Sequence, residues 1–264
     1  MSSILTNSSA MNALATLKDV NRGLNQTQDR VSTGLKVASG KDNAAYFAVS
    51  ETMKGDSGMF KAINEGMTAT KNSVATARLG AETVSDIAQQ MVERIAFAQS
   101  DGINKQDVQD ELVALAKNMQ SAIDQATFNE VTVVNGVKRT GATFGTTSFT
   151  FEGVDLGAIK TAMEAIDVGT STDLAADLAT AEGQLAASIT ASTSLGITEN
   201  ALDGQMEFID SLTDTLDSGV SSMVDADMEE EAARLQAYQV QQQLATQSLS
   251  IANQAPQNIL SLFR

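Results

Sequence analysis

The sequence predicts a mainly α protein: a long antiparallel α-helical hairpin of coiled-coil type, with paired terminal helices and a small β-hairpin region. Three observations carry that prediction. From Val49 to Ala98 a four-three spacing selects Val49, Met53, Asp56, Phe60, Ile63, Met67, Thr70, Val74, Ala77, Ala81, Val84, Ala88, Met91, Ile95 and Ala98, of which thirteen of fifteen are apolar. A second stripe with the same spacing runs Leu174, Leu178, Ala181, Leu185, Ser188, Ser192, Leu195, Glu199, Leu202, Met206, Ile209, Thr213, Leu216, Val220 and Met223. An apolar repeat of 3.5 residues marks a helix packed along a partner helix. Fifty helical residues span roughly 75 Å, so the two stripes describe rods of matched length. Thirdly, the period changes to two only in the middle of the chain, around residues 131–155.

Composition narrows the chemistry. The 264 residues contain no cysteine, no histidine and no tryptophan, and Pro256 is the sole proline. A disulfide frame, a thiolate metal site and a cysteine nucleophile are therefore excluded, and so is histidine as general base or ligand. The serines lack a base, and no glycine-rich loop precedes a helix to cradle phosphate. The expectation is no enzyme activity, no cofactor and no metal. No apolar run reaches bilayer length, so no membrane insertion is expected. Met1 to Ala15 has neither a charged n-region nor a continuous apolar core, so no cleavable secretory signal is expected. Net charge is −16. It is uneven: residues 1–141 carry 14 basic and 15 acidic groups, and residues 142–264 carry 3 and 18, a net of −15. Nucleic-acid binding, which needs a basic surface, is disfavoured. The asymmetry would let the acidic second rod meet basic groups such as Lys54, Lys61, Lys71 and Arg78, in the same chain or a neighbour; for any single residue the alternative is a solvated acidic face.

In chain order, Leu14, Leu17, Asn21, Leu24, Gln28, Val31 and Leu35 define a first helix, weakly apolar and rich in Asn, Gln, Ser and Thr. Alone it buries too little to offset its ordering entropy, so it is expected to fold against a partner. Gly34, Ser39, Gly40 and Asp42 break the pattern, and Asp42 or Asn43 caps the long rod. Gly55, Gly58, Gly66 and Gly80 lie within that rod at a cost on the order of 1 kcal/mol each, read as close helix approach or as pliancy. Asp101-Gly102-Ile103-Asn104 is a turn. Val108, Leu112, Leu115, Met119, Ala122 and Ala126 follow on a helix that folds back. Val131–Val137 reads as a strand interrupted by the turn pair Asn135-Gly136, and Thr143-Phe144 and Ser148–Phe151 alternate as half-buried strands do. A short helix at 156–166 and a loop at 169–172 lead into the second rod. The last helix opens on Asp225 to Glu231, acids that the helix dipole favours in a first turn. It carries two apolar stripes: Leu235, Tyr238, Ala245, Leu249, Ala252 and Ile259, and Val240, Leu244, Ile251 and Ala255. A helix apolar over so wide an arc is covered on more than one side, and the first helix covers one flank only. Other subunits cover the rest. The domain reading is residues 1–44 with 225–264 as a terminal-helix domain and 45–224 as a rod domain.

Three stretches together resemble bacterial flagellin. They are Arg30-Val31-Ser32-Thr33-Gly34-Leu35-Lys36-Val37 with Lys41-Asp42-Asn43-Ala44-Ala45; Ala126-Thr127-Phe128-Asn129; and Val224 to Glu231 with Ile251-Ala252-Asn253-Gln254-Ala255-Pro256 and Leu260-Ser261-Leu262-Phe263-Arg264. The resemblance covers both ends and nearly the whole chain. It implies an extracellular subunit that polymerises into the flagellar filament for swimming motility, exported by the flagellar type III apparatus, with an export chaperone, a filament cap and hook-junction proteins as partners. The terminal helices would form an inner tube and the rods an outer tube. Subunit packing would then fall to Leu14, Leu17, Leu24, Val31, Leu35, Leu235, Leu244, Leu249, Ile251, Ile259, Leu262 and Phe263. With about 45 residues between Thr127 and the second rod, the chain resembles a short, core-only form without large outer domains. Many flagellins present an arginine to an innate immune receptor in a Leu-Gln-Arg-x-Arg-Glu-Leu setting. Here Met91, Glu93 and Arg94 stand over its first Arg, its second Arg and its Glu, which implies weak recognition. Thr143, Thr146, Thr147 and Ser148 are candidates for O-linked sugar as in some relatives, or plain polar strand faces. The other readings are a hook–filament junction protein and a secreted type III translocator.

Overall fold

The structure, a computed structural model, describes residues 7–128, 131–132, 134, 138–144 and 147–262. Among them the chain is mainly α, with helices α1 (Ser8–Thr33), α2 (Ala44–Ala98), α3 (Lys105–Gln125), α4 (Leu156–Glu164), α5 (Leu174–Val224) and α6 (Met228–Leu262). Between α3 and α4 lie β1 (Thr127–Phe128), β2 (Val131–Thr132), β3 (Lys138–Phe144) and β4 (Thr147–Glu152), paired antiparallel as β1 with β2 and β3 with β4. Val131 of β2 pairs back with Phe128, and the expected turn pair Asn135-Gly136 lies outside the described residues. The chain divides into two compact units, Gly58–Thr213 and Met1–Ser57 with Asp214–Arg264.

In the unit Gly58–Thr213, α2 and α5 run antiparallel. Asn64 donates to Asp210, Lys71 pairs with Asp203, and Arg78 Nε lies 2.9 Å from Glu199 Oε2. Lys71 and Arg78 of the first rod thus meet acids of the second in their own chain, whereas Lys54 pairs with Glu51 of its own helix. Hydrogen bonding to Glu199, and then to Glu82, holds the Arg78 guanidinium above its ordinary pKa, and Asp203 does the same for Lys71. Beneath them is one apolar core, with Met67, Val74, Val84, Met91 and Ile95 from α2 and Leu195, Leu202 and Ile209 from α5. Leu112 and Met119 of α3 and Leu156 and Met163 of α4 complete it. Gly102, at φ +86°, turns the chain, and Asn104 caps α3. Where α3 crosses α2, a Cβ on Gly80 would lie 2.3 Å from that of Ala126, so glycine is required there by close approach. Gly55, Gly58 and Gly66 face open space.

In the other unit, α1 and α6 lie antiparallel. Asn7 Nδ2 donates to the Ala252 carbonyl at 2.7 Å, and Gln242 Nε2 donates to Asn21 Oδ1 at 2.7 Å. The Tyr238 ring occupies the space a Cβ on Gly23 would need, within 2.6 Å. At the base of the pair Gly34 ends α1 in the left-handed region at φ +72°, donating to the Arg30 carbonyl as a helix cap does. A single antiparallel bridge joins Leu35 to Asp225, with the amides of Lys36 and Val37 donating to Val224 and that of Ala226 to Gly34. Val37, Val220 and Val224 form a small core there. Asn43 caps α2, its Oδ1 accepting from Ala45 and Tyr46, while Asp42 holds the preceding loop through Ala38 and Ser39. The Ser39 hydroxyl bond, with the two backbone bonds, holds the Asp42 carboxyl below its ordinary pKa.

The structure corrects one stretch of the predicted stripe. At the start of α2 the buried positions are Ser50 and Ser57, whereas Val49 and Asp56 are exposed. Met53, between the two serines, is half-buried as the stripe requires, so the difference is local to these two positions. Both serines satisfy their hydroxyls: Ser50 donates to the Phe47 carbonyl at 2.9 Å and Ser57 to Asp217 Oδ1 at 2.7 Å.

Candidate assembly surface

Helices α1 and α6 are organised as a seam and an outer face. On α1 the residues turned toward α6 are Leu17, Val20, Leu24, Thr27, Arg30 and Val31; on α6 they are Glu231, Leu235, Tyr238, Gln242, Ala245 and Leu249. The sequence reading missed Val20 and Thr27, which are buried; of the polar positions it placed in the stripe, Asn21 is half-buried and bonds Gln242 whereas Gln28 is exposed. At about 100° per residue, the second stripe of α6 lies roughly 150° around the helix from the seam. Three of its members are open: Val240 is 55% exposed, Leu244 59% and Ile251 69%. Met11 and Leu14 of α1 are also exposed, at 65% and 42%. Burying what remains open of each side chain is worth on the order of 1 kcal/mol. Large exposed apolar groups recurring along one helix face mark a surface that meets another molecule.

The twelve residues read as subunit packing therefore divide. Leu17, Leu24, Val31, Leu235 and Leu249 are half-buried along the α1–α6 seam, and Leu35 is half-buried against the small valine core at its base. Leu14, Leu244 and Ile251 face outward. Ile259 and Leu262 lie in α6, and Phe263 lies outside the described residues. The acids at the start of α6 have local work: Asp227 accepts from the amides of Glu229 and Glu230, while Glu230 and Glu231 pair with Arg234. Among the described residues no helix is long and apolar enough to cross a membrane.

In the other unit Met91 is only 1% exposed and faces the core, so it offers nothing to an outside partner. Glu93 and Arg94 are exposed, Glu93 accepting from Gln89 and Arg94 paired with Glu111 at 3.1 Å. Thr143 and Ser148 are partners across β3 and β4, Thr147 pairs with Phe144, and Thr146 lies outside the described residues.

Residues 4–139 match the family model for the bacterial flagellin N-terminal helical region, and residues 178–263 match that for the C-terminal helical region. A flagellin of Brucella melitensis biotype 1 is 36% identical over the full length of both chains. The chain belongs to the bacterial flagellin family. Flagellin FljM of Caulobacter vibrioides is 32% identical over all of this chain and 99% of that one. Flagellin C of Rhizobium meliloti is 30% identical over the full length of both. A solved structure assigned as a flagellar hook-associated protein of Vibrio parahaemolyticus covers 70% of this flagellin and all of its own chain, with a TM-score of 0.57 at 12% identity. That likeness is one of fold alone. This flagellin is a structural subunit that polymerises into the filament of the bacterial flagellum, a motility structure.

Proposed function

We propose that this flagellin assembles with residues 1–44 and 225–264 as an inner tube of paired terminal helices and residues 45–224 as the outer tube. The observation that supports this reading is the outward row of Val240, Leu244 and Ile251, which the described residues leave exposed. In the filament, neighbouring copies cover it. Export through the flagellar type III apparatus delivers an unfolded chain to the outside of the cell, with a chaperone, the filament cap and the hook-junction proteins as partners along the way. The strand pairs at about residues 131–155 act as a small hairpin region of the outer tube. Thr143, Thr146, Thr147 and Ser148 stand there as acceptors for O-linked sugar. Immune recognition is weak, because Met91 is turned inward and the Glu93–Arg94 order reverses the charges such a receptor would pair with.

Electron microscopy of the purified protein, concentrated with a precipitating salt, tests the assembly reading. Long filaments are expected from the intact chain and none from Leu244→Asp or Ile251→Asp. Filaments of ordinary length from both variants would show that this stripe is not an interface. The receptor reading is tested by cell activation at low subunit concentration, where strong activation would contradict it.

A further inference from the structure

Each helix of the α1–α6 pair carries one charged residue in its seam, and the two meet. Lys18, Asp19, Arg22 and Asp29 of α1 are exposed, as are Glu229, Glu230 and Arg234 of α6. Arg30 and Glu231 are not: their side chains are 21% and 5% exposed, with Arg30 Nη1 at 3.1 Å from Glu231 Oε1. Arg234 Nη1 reaches the same oxygen at 3.2 Å, whereas the buried Oε2 accepts no hydrogen bond from the described residues. A buried carboxylate with half its acceptor capacity unused is poor value for stability, since its desolvation is only partly repaid. Its best-attested use is to specify register.

The rest of the seam needs such a device. Its α6 side reads Leu235, Tyr238, Gln242, Ala245 and Leu249, and its α1 side Val31, Thr27, Leu24, Val20 and Leu17. A slip by one heptad, roughly 10 Å along the axis, would still bring mostly uncharged groups together, with loss of the Asn21–Gln242 bond and of the fit of Tyr238 on Gly23. Among the seam contacts only the Arg30–Glu231 pair joins opposite charges, so only it turns a slip into a buried carboxylate without its cross-helix cation. Slipped one way, Glu231 meets Gly23; slipped the other, Arg30 meets Tyr238.

We propose that Glu231, by pairing with Arg30, is the positioning residue that selects the register in which the terminal helices dock. The inference rests on the α1–α6 pair itself and stands whether or not that pair lines an inner tube. The chain has no cysteine, so introduced pairs report register cleanly. Asn21→Cys is combined in the full chain with Gln242→Cys for the native register, and with Leu235→Cys or Leu249→Cys for the slipped ones. Each is oxidised in soluble protein and in sedimented filaments, and intrachain disulfide is read from gel mobility. With Glu231 present, only the 21–242 pair should close efficiently. Glu231→Gln should raise closure of the slipped pairs roughly tenfold, the direction that loss of a buried pair dictates. The control Glu230→Gln, which removes only a surface partner of Arg234, should not. Arg30→Met with Glu231→Leu removes both charges without leaving either unpaired. It should keep the helices paired by circular dichroism while slipped disulfides appear, and it decides the matter if Glu231→Gln leaves them unpaired. Native register alone in that double variant would overturn the proposal and assign register to the Leu35–Asp225 bridge or to the seating of Tyr238 on Gly23.

Discussion

Two glycines of α2 have opposite physical meanings. Gly80 is pressed on Ala126, whereas Gly66 faces open space. Gly80→Ala should therefore destabilise the subunit by about 1–3 kcal/mol through overpacking, despite its gain in helix propensity. Gly66→Ala should stabilise it by about 0.5–1 kcal/mol. Urea unfolding of the full chain with both variants separates the two cases. Asp42 and Asp167 act on loops by the same chemistry. Their carboxyls sit below the ordinary pKa because the hydroxyls of Ser39 and Thr170 donate to them, helped by backbone amides. A depressed folded pKa means the stabilisation is complete above the unfolded value of 3.8 and is lost as pH falls through the lower, folded one. Amide exchange at Ala38, Ser39 and Thr170, corrected for its intrinsic pH dependence, should be steady at neutral pH and rise below about pH 4. Asp42→Ala should abolish that rise at Ala38 and Ser39 only.

At the scale of the element, α5 shows how much a stripe determines. Every position of its predicted repeat is buried or half-buried, including the polar ones: Ser188 donates to the Leu185 carbonyl and Glu199 pairs with Arg78. Polar residues could be read into the seam because spacing alone placed them. One helix then offers two faces for comparison. Leu202→Ala should cost about 2–5 kcal/mol in urea unfolding, as a side chain fully enclosed in the core. Phe208→Ala, at a 57% exposed position, should stay within about 0.5 kcal/mol in the monomer. Helix α2 shows the limit of the same method. Its stripe is right at Met53 and from Phe60 onward but one residue off at Val49 and Asp56, because Ser50 and Ser57 look like surface residues until their hydroxyl partners are known.

For the whole molecule, charge and apolar surface oppose each other. Residues 142–264 carry 18 acidic and 3 basic groups, so copies of the chain repel at long range. The outward row of α6 attracts only on contact. Raising salt from a few millimolar to about 0.15 M shortens the screening length to about 8 Å and should lower the subunit concentration needed for polymerisation, measured by sedimentation. If the threshold rose instead, salt bridges between copies would be the dominant attraction.

Spacing and composition by themselves determined the class of the fold, the order and approximate ends of the helices, and the absence of histidine and cysteine. These follow from periodicity and from which side chains exist, and both are properties of the chain alone. Tertiary structure decided which of two adjacent residues is buried, which glycine is a contact and which is open, and which apolar residues are spent within the α1–α6 pair. It also separated Asn43, the cap of α2, from Asp42, the holder of the loop before it. The Arg30–Glu231 pair was legible only in part: both residues stood in motifs, but 201 positions separate them. Their juxtaposition is set by the antiparallel packing of two helices, and helical periodicity says which face a residue occupies without saying what stands opposite.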